Sequence, residues 1–162
     1  MPEVVSNTSP LQYLHQTGLL DLLPAMYGTI IIPAAVADEL ERGIHLGVAL
    51  PRVSETSWLH IRPVEHRRLL AMVTDLDAGE REVLALASEN PDSLALLDDS
   101  WARRSADLLA IKYTGTLGVI VKAKKRGLVA KVGTLLDRLE SLRFYLDPAT
   151  RIRVLRLAEE SP

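Results

Sequence analysis

Two carboxylates, Asp98 and Asp99, close the apolar run Leu94-Ala95-Leu96-Leu97. Bounded on its other side by Asn90-Pro91-Asp92, the run reads as a buried strand, and buried strands do not normally end on paired charges. In open α/β sheets the chemistry collects beyond the carboxyl ends of the strands, so the pair marks where a site is expected. Three further groups have reasons to reach it. Asn7 stands where a short strand beginning at Val4 turns into a helix. Glu39 lies at the edge of the inner face that Val36 and Leu40 define on a helix over 34–42. Glu80 shares a helical face with Val83, Leu84 and Ala87.

Clustered carboxylates repel one another and resist desolvation, so a fold keeps them together mainly when a cation neutralises them. Asn7, Glu39, Glu80 and Asp98, with Asp99 as a fifth candidate, offer only oxygen and therefore select a hard ion, Mg²⁺ or Mn²⁺. Such an ion activates water and stabilises the attacking and leaving oxygens of an in-line displacement, which makes phosphodiester hydrolysis the expected reaction class.

The same residues have structural roles open to them. Asp77 and Glu80 spell a D-x-x-E capping box. Asp99 or Ser100 can cap the helix carrying Arg103 and Arg104, Asn7 can shape a turn, and Glu39 can be a solvated edge carboxylate. The cluster Lys122, Lys124, Lys125 and Arg126 could hold a nucleic-acid backbone with Arg103 and Arg104 as helpers, or simply complement a helix dipole. Thr114-Gly115-Thr116-Leu117-Gly118 is glycine-rich ahead of a helix and could cradle a phosphate, although it matches neither G-x-G-x-x-G nor the Walker pattern.

These side chains need elements to carry them. Strands are expected over 4–7, 29–32, 58–64, 94–97 and 111–114, each bounded by turn residues or a helix start. Helices are expected from Ser9-Pro10, with Ser9 as N-cap and Gly18 as breaker, and then over 19–26 and over 34–42, stopped by Gly43. Further helices are expected over 65–73, 77–89, 100–109, 117–126, 132–144 and 148–159. Strand and helix alternate, which implies an α/β fold with a mostly parallel central sheet and helices on both faces. One domain over 1–162 is expected, with helices 132–159 packed on it. At 162 residues and 48% hydrophobic the chain can bury a sizeable core. It has no cysteine, which excludes disulfides and thiolate metal sites, and its four histidines match no zinc-ligand spacing. A net charge of −2 argues against a generally basic nucleic-acid coat but leaves room for a local patch. With no membrane span and no signal peptide expected, the chain reads as cytoplasmic.

The stretches Val5–Leu11, Pro33–Leu40, Leu76–Glu82 and Leu96–Asp99 with Arg103 and Ala106, and then Thr114–Gly118 with Ala123 and Lys124, occur in the order seen in one family. In them the chain resembles the PIN-domain (PilT N-terminus) nucleases, in particular the subgroup related to VapC-type toxins. The resemblance implies a Rossmann-like three-layer fold and a pocket of four acids that binds Mg²⁺ or Mn²⁺ for endoribonuclease action. The family's first acid falls on Asn7, where an amide replaces the usual Asp. The second falls on Glu39, the third on Glu80 and the last on Asp98 or Asp99. The partners implied are RNA, a small cognate antitoxin protein and a second copy of the chain in a homodimer. The rival reading is a PIN-like module that has lost its chemistry and holds RNA or a partner protein.

Overall fold

The computed structural model describes residues 2–162. Its centre is a parallel sheet of β1 (Val4–Ser6), β2 (Ile30–Ile32), β3 (Leu59–Ile61), β4 (Leu94–Leu96) and β5 (Lys112–Thr114). The order is β3-β2-β1-β4-β5, with Val5 opposite both Ile31 and Ala95. β1 and β2 are buried along their whole length, as a parallel sheet covered on both faces requires. From β1 the chain winds outward through β2 to β3, then returns to the other side of β1 for β4 and β5. The β1–β4 boundary is therefore the topological switch point, and Asn7 and Asp98 both lie just past its carboxyl edge.

Eight α-helices flank the sheet among the described residues: α1 (Thr8–Gln16), α2 (Leu22–Tyr27), α3 (Ala34–His45), α4 (Ala78–Ser88), α5 (Ser100–Leu108), α6 (Thr116–Lys125), α7 (Val132–Ser141) and α8 (Pro148–Leu157). α6 packs against α1 and α2, and carries α7 and α8 on its far side. α4 packs across β1 and β4, with α3 and α5 beside it. The result is the three-layer α/β arrangement expected from the alternation of elements. None of these helices is long and apolar enough to cross a membrane.

Four local expectations are corrected. The first helix begins at Thr8 with Asn7 in the N-cap position, so Pro10 sits in the third helical position and Ser9 is free for a tertiary contact. α3 runs through Gly43 to His45, because that glycine is where Leu50 packs against the helix and a Cβ would collide with it. Tertiary packing thus outweighs the helix-stopping tendency of glycine. The helix expected over 65–73 is a short 3₁₀ turn, Arg67–Ala71, inside an irregular segment. None of its residues is fully buried and only Leu69 and Leu70 pack partly on the core, too little to hold a longer helix in place. The strand expected over 58–64 shrinks to Leu59–Ile61 at the sheet edge, where only Leu59 is buried.

Candidate active site

Asn7 ends β1. Its backbone N–H donates to the Leu96 carbonyl at 3.1 Å, locking the ends of β1 and β4 together at the switch point. The side chain is only 7% exposed, and its Oδ1 has no hydrogen-bond partner in the protein. A buried amide oxygen left this way costs about 1–3 kcal/mol, which is tolerated where the atom serves a ligand. Asn7 does not use its side chain to cap α1, so the turn-shaping role does not account for it.

Asp98 turns toward α1 and α6. Its carboxylate accepts from Ser9 Oγ at 2.8 Å, from the Thr116 backbone N–H at 2.7 Å and from Thr116 Oγ1 at 2.8 Å. Gly115 makes this possible, since a Cβ there would stand 2.6 Å from Asp98 Oδ1 and 3.0 Å from the Leu97 carbonyl. The glycine-rich loop therefore cradles an anion, but that anion is the protein's own carboxylate at the α6 N-terminus. Three donors leave about one of the four acceptor positions of a carboxylate open. Burial and, secondarily, the Asp98 charge raise the Tyr13 hydroxyl pKa.

Asp99 turns the other way. Its Oδ2 caps α5 by accepting from the Ala102 N–H at 3.0 Å, while its charge acts on Glu80. Glu80 sits in the first turn of α4, capped by Asp77, whose Oδ1 accepts from the Glu80 N–H at 2.8 Å. Burial pushes the Glu80 carboxyl from 4.5 up to about 7, with the charges of Asp77, Asp99 and Glu39 adding to it; a backbone hydrogen bond from Asp77 works in the opposite direction. Glu39 completes the group from α3. It is half-buried, accepts from Thr8 Oγ1, and lies on the bare α-carbon of Gly79, where a Cβ would stand 2.6 Å from its Oε1. The capping box is thus real, but capping alone does not explain a carboxyl held among three other acids.

The structure brings Asn7, Glu39, Glu80, Asp98 and Asp99 to one edge of one sheet, with Asp98 on the α1/α6 side and Asp99 with the other two acids on the α3/α4 side. Their donor chemistry fits a hard divalent ion: oxygen only, one orphaned amide oxygen, and a carboxyl proton favoured by burial and then by the neighbouring acids. In the side-chain conformations seen, no three histidine or carboxylate side chains among the described residues are close enough to share an ion, so binding one requires side-chain rotation.

The basic residues divide. Arg103 donates Nε to the Leu97 carbonyl at 2.8 Å and lies 5.4 Å from the Tyr113 ring centre, while Arg104 lies 5.0 Å from the Trp101 ring. Both belong to α5, which starts at the acids. The other four are at the opposite end of α6: Lys124 is about 12 Å along the helix from Thr116 at 1.5 Å per residue. Lys124 pairs with Glu160 at 3.3 Å, Lys122 covers the Tyr27 ring, and Arg126 reaches the Met26 carbonyl. Lys125 is exposed there too, so the cluster is not at the candidate site. Missed in the sequence were Thr8, Ser9 and Thr116, which hold the acids, and Gly79 and Gly115, on which they rest. The D-A-G-E and T-G-T motifs carried a signal for the glycines; nothing marked the hydroxyls.

A five-stranded parallel sheet in this order, with Asn7 and the acids of α3, α4 and the β4 end at its carboxyl edge, is a three-layer α/β fold of the Rossmann-like kind. Residues 3–160 match the family model DUF3368, described as a PIN domain, and the chain belongs to the PIN-domain family. PIN domains are in general nucleases that bind RNA and use divalent metal ions. No curated protein and no solved structure matches the chain significantly.

Proposed function

We propose that this PIN domain is a Mg²⁺- or Mn²⁺-dependent endoribonuclease and the toxin component of a toxin–antitoxin pair. The observation that carries the nuclease reading is the Glu80 carboxyl, pushed to about 7 by burial and by the charges of Asp77, Asp99 and Glu39, at the sheet edge where Asn7 Oδ1 has no partner. Glu39, Glu80 and Asp99 would hold the ion, with Asn7 Oδ1 as a neutral ligand and the open position of Asp98 facing it. The ion supplies charge neutralisation at the scissile phosphate and activation of water. The chain's own residues do the positioning. Thr8 and Gly79 fix Glu39, the cap by Asp77 fixes the start of α4, and Ser9 with Thr116 fixes Asp98. Glu80 holds its proton near neutral pH and gives it up as positive charge arrives. The toxin role rests on the likeness to VapC-type toxins. In that reading the protein works as a cytoplasmic homodimer, and a small antitoxin silences it by placing a cationic side chain among the acids.

A second reading, a PIN-like module that binds RNA or protein without cutting, is favoured by one observation: the family's first acid is Asn7, which brings no charge to the site. Calorimetric titration with Mn²⁺ and cleavage of a mixed RNA pool, on the wild type and on Glu80→Gln/Asp99→Asn, separate the two. A nuclease binds Mn²⁺ and cleaves, and the double variant loses both. RNA binding with no Mn²⁺-dependent cleavage in the wild type would leave the binding module standing.

A further inference from the structure

Trp101 is one of two tryptophans in the chain and is 61% exposed. At that exposure the indole is not part of the core. It sits in the first turn of α5, so it lies within about 5 Å, along the helix axis, of the capping residue Asp99. Arg104, one turn on, places its guanidinium 5.0 Å from the indole centre. That stack holds the ring in one orientation and puts a cation beside it. Arg103, on the same helix, is tied down by the Leu97 carbonyl and Tyr113, so Arg104 is the arginine of this pair that stays exposed. The exposed indole and the exposed guanidinium thus share the start of the helix that Asp99 caps.

We infer that Trp101 is a stacking platform for one unpaired nucleobase of the RNA and that Arg104 meets the neighbouring phosphate. The inference deepens the nuclease reading and rests on RNA being what the site takes, but its binding arm does not depend on cleavage. Single-stranded nucleic acid is held by aromatic faces, because every base offers a π-surface once it is unstacked. A base inside a duplex offers its face to its neighbours and cannot use the platform. The arginine supplies charge complementarity that the acid site lacks, which is why the cation is needed outside the acid row. Leu108, 88% exposed and two turns along from Trp101, makes a protein contact along α5 the rival occupant.

The test is a fluorescence-anisotropy titration of an end-labelled unpaired oligoadenylate RNA and of an end-labelled blunt RNA duplex of equal length, in Ca²⁺ and again in EDTA, with the indole emission of the wild type followed in parallel. The wild type, Trp101→Phe, Trp101→Ala and Leu108→Ser are compared, with oligomeric state measured by light scattering. The unpaired RNA should quench the wild-type emission and bind Trp101→Ala about five- to a hundred-fold more weakly, with Trp101→Phe keeping most of the affinity. Duplex affinity should not change between variants. Both substitutions are at an exposed position, and rescue by Phe separates stacking from a folding defect. Equal binding of unpaired RNA by the wild type and Trp101→Ala overturns the inference even if the RNA pool is cleaved. So does a change of oligomeric state in Trp101→Ala and Leu108→Ser with RNA binding intact. Stacking without any cleavage upholds the inference and removes the nuclease reading.

Discussion

Replacing Glu80 by Gln removes one negative charge from the acid group and leaves the Asp77 cap in place, because that cap binds the backbone N–H of residue 80 and not its side chain. The unfolded chain titrates this carboxyl near 4.5 and the folded protein near 7. Between those values the folded state holds a proton that the unfolded state has lost, so stability is greatest below about 4.5 and falls as pH rises toward 7. At about 1.4 kcal/mol per tenfold, a fully sealed group would change stability by a little over ~3 kcal/mol across this window. Glu80 is only half-buried and solvent screens its neighbours, which reduces the effect to roughly 1–2 kcal/mol. Glu80→Gln should therefore match the wild type at pH 4, gain about 1–2 kcal/mol on it at pH 8 in EDTA, and lose most of the pH slope. For a chain of this size that is a melting temperature higher by roughly 2–8 °C. Adding Mn²⁺ should raise the wild type and not the variant, since the ion uses the charge that was removed. Melting curves at several pH values, with EDTA or Mn²⁺, provide the assay. A variant less stable than the wild type at pH 8, or parallel pH profiles for the two proteins, would refute the claim that repulsion and burial hold Glu80 up.

Thr116→Val keeps the shape of the side chain and its backbone donor but deletes the hydroxyl hydrogen bond to Asp98; it should cost about 1.5–3 kcal/mol in urea unfolding, a typical value for a bond to a charged group. Gly79→Ala puts a methyl group 2.6 Å from Glu39 Oε1, so it should destabilise by about 1–3 kcal/mol and weaken Mn²⁺ binding in calorimetry as Glu39 is displaced. Asn7→Asp supplies the carboxylate that the family usually has at this position. It should destabilise the protein in EDTA, tighten Mn²⁺ binding and raise RNA cleavage at least about tenfold, and a variant showing none of the three would favour the binding module.

The sheet was legible because buried parallel strands announce themselves as short β-branched or apolar runs: Ile30–Ile32 and Leu94–Leu96 admit little else. Patterning failed where tertiary contacts decide. Gly43 reads as a helix stop, but its missing side chain is what allows Leu50 to pack on α3. Residues 65–73 put their charges first and their apolar residues, Leu69 to Val73, in one block that is only partly buried, too little to hold a full helix in place. Ser9-Pro10 has the composition of an N-cap and first turn, yet the chain starts the helix two residues earlier. Asn7 stays paired to β4 through its backbone, which fixes the helix start, and Ser9 then gives its hydroxyl to Asp98. Among the candidate site residues, the acids of α3 and α4 were readable from helical periodicity. The basic cluster at the end of α6 was not readable as distant, because sequence shows its charge and not which edge of the sheet it occupies.

The division between Asp98 and Asp99 follows from strand geometry and gives the two residues different work. Successive side chains along extended backbone point to opposite sides, and this alternation continues for a residue or two past the last ladder bond. Asp98 therefore meets α1 and α6, whose hydroxyls and N-terminal amide hold it in one position. Asp99 meets α4, where Glu80 registers its charge. A carboxylate with three donors is a fixed point, and it stitches the β4 edge to two helices that close one side of the site. A carboxylate with one capping bond and an acidic neighbour remains able to turn toward a cation. On the proposed reading, a pair that looks redundant in sequence would supply one residue that positions the frame and one that could turn to a cation. Either position changed to alanine would damage the site for a different reason.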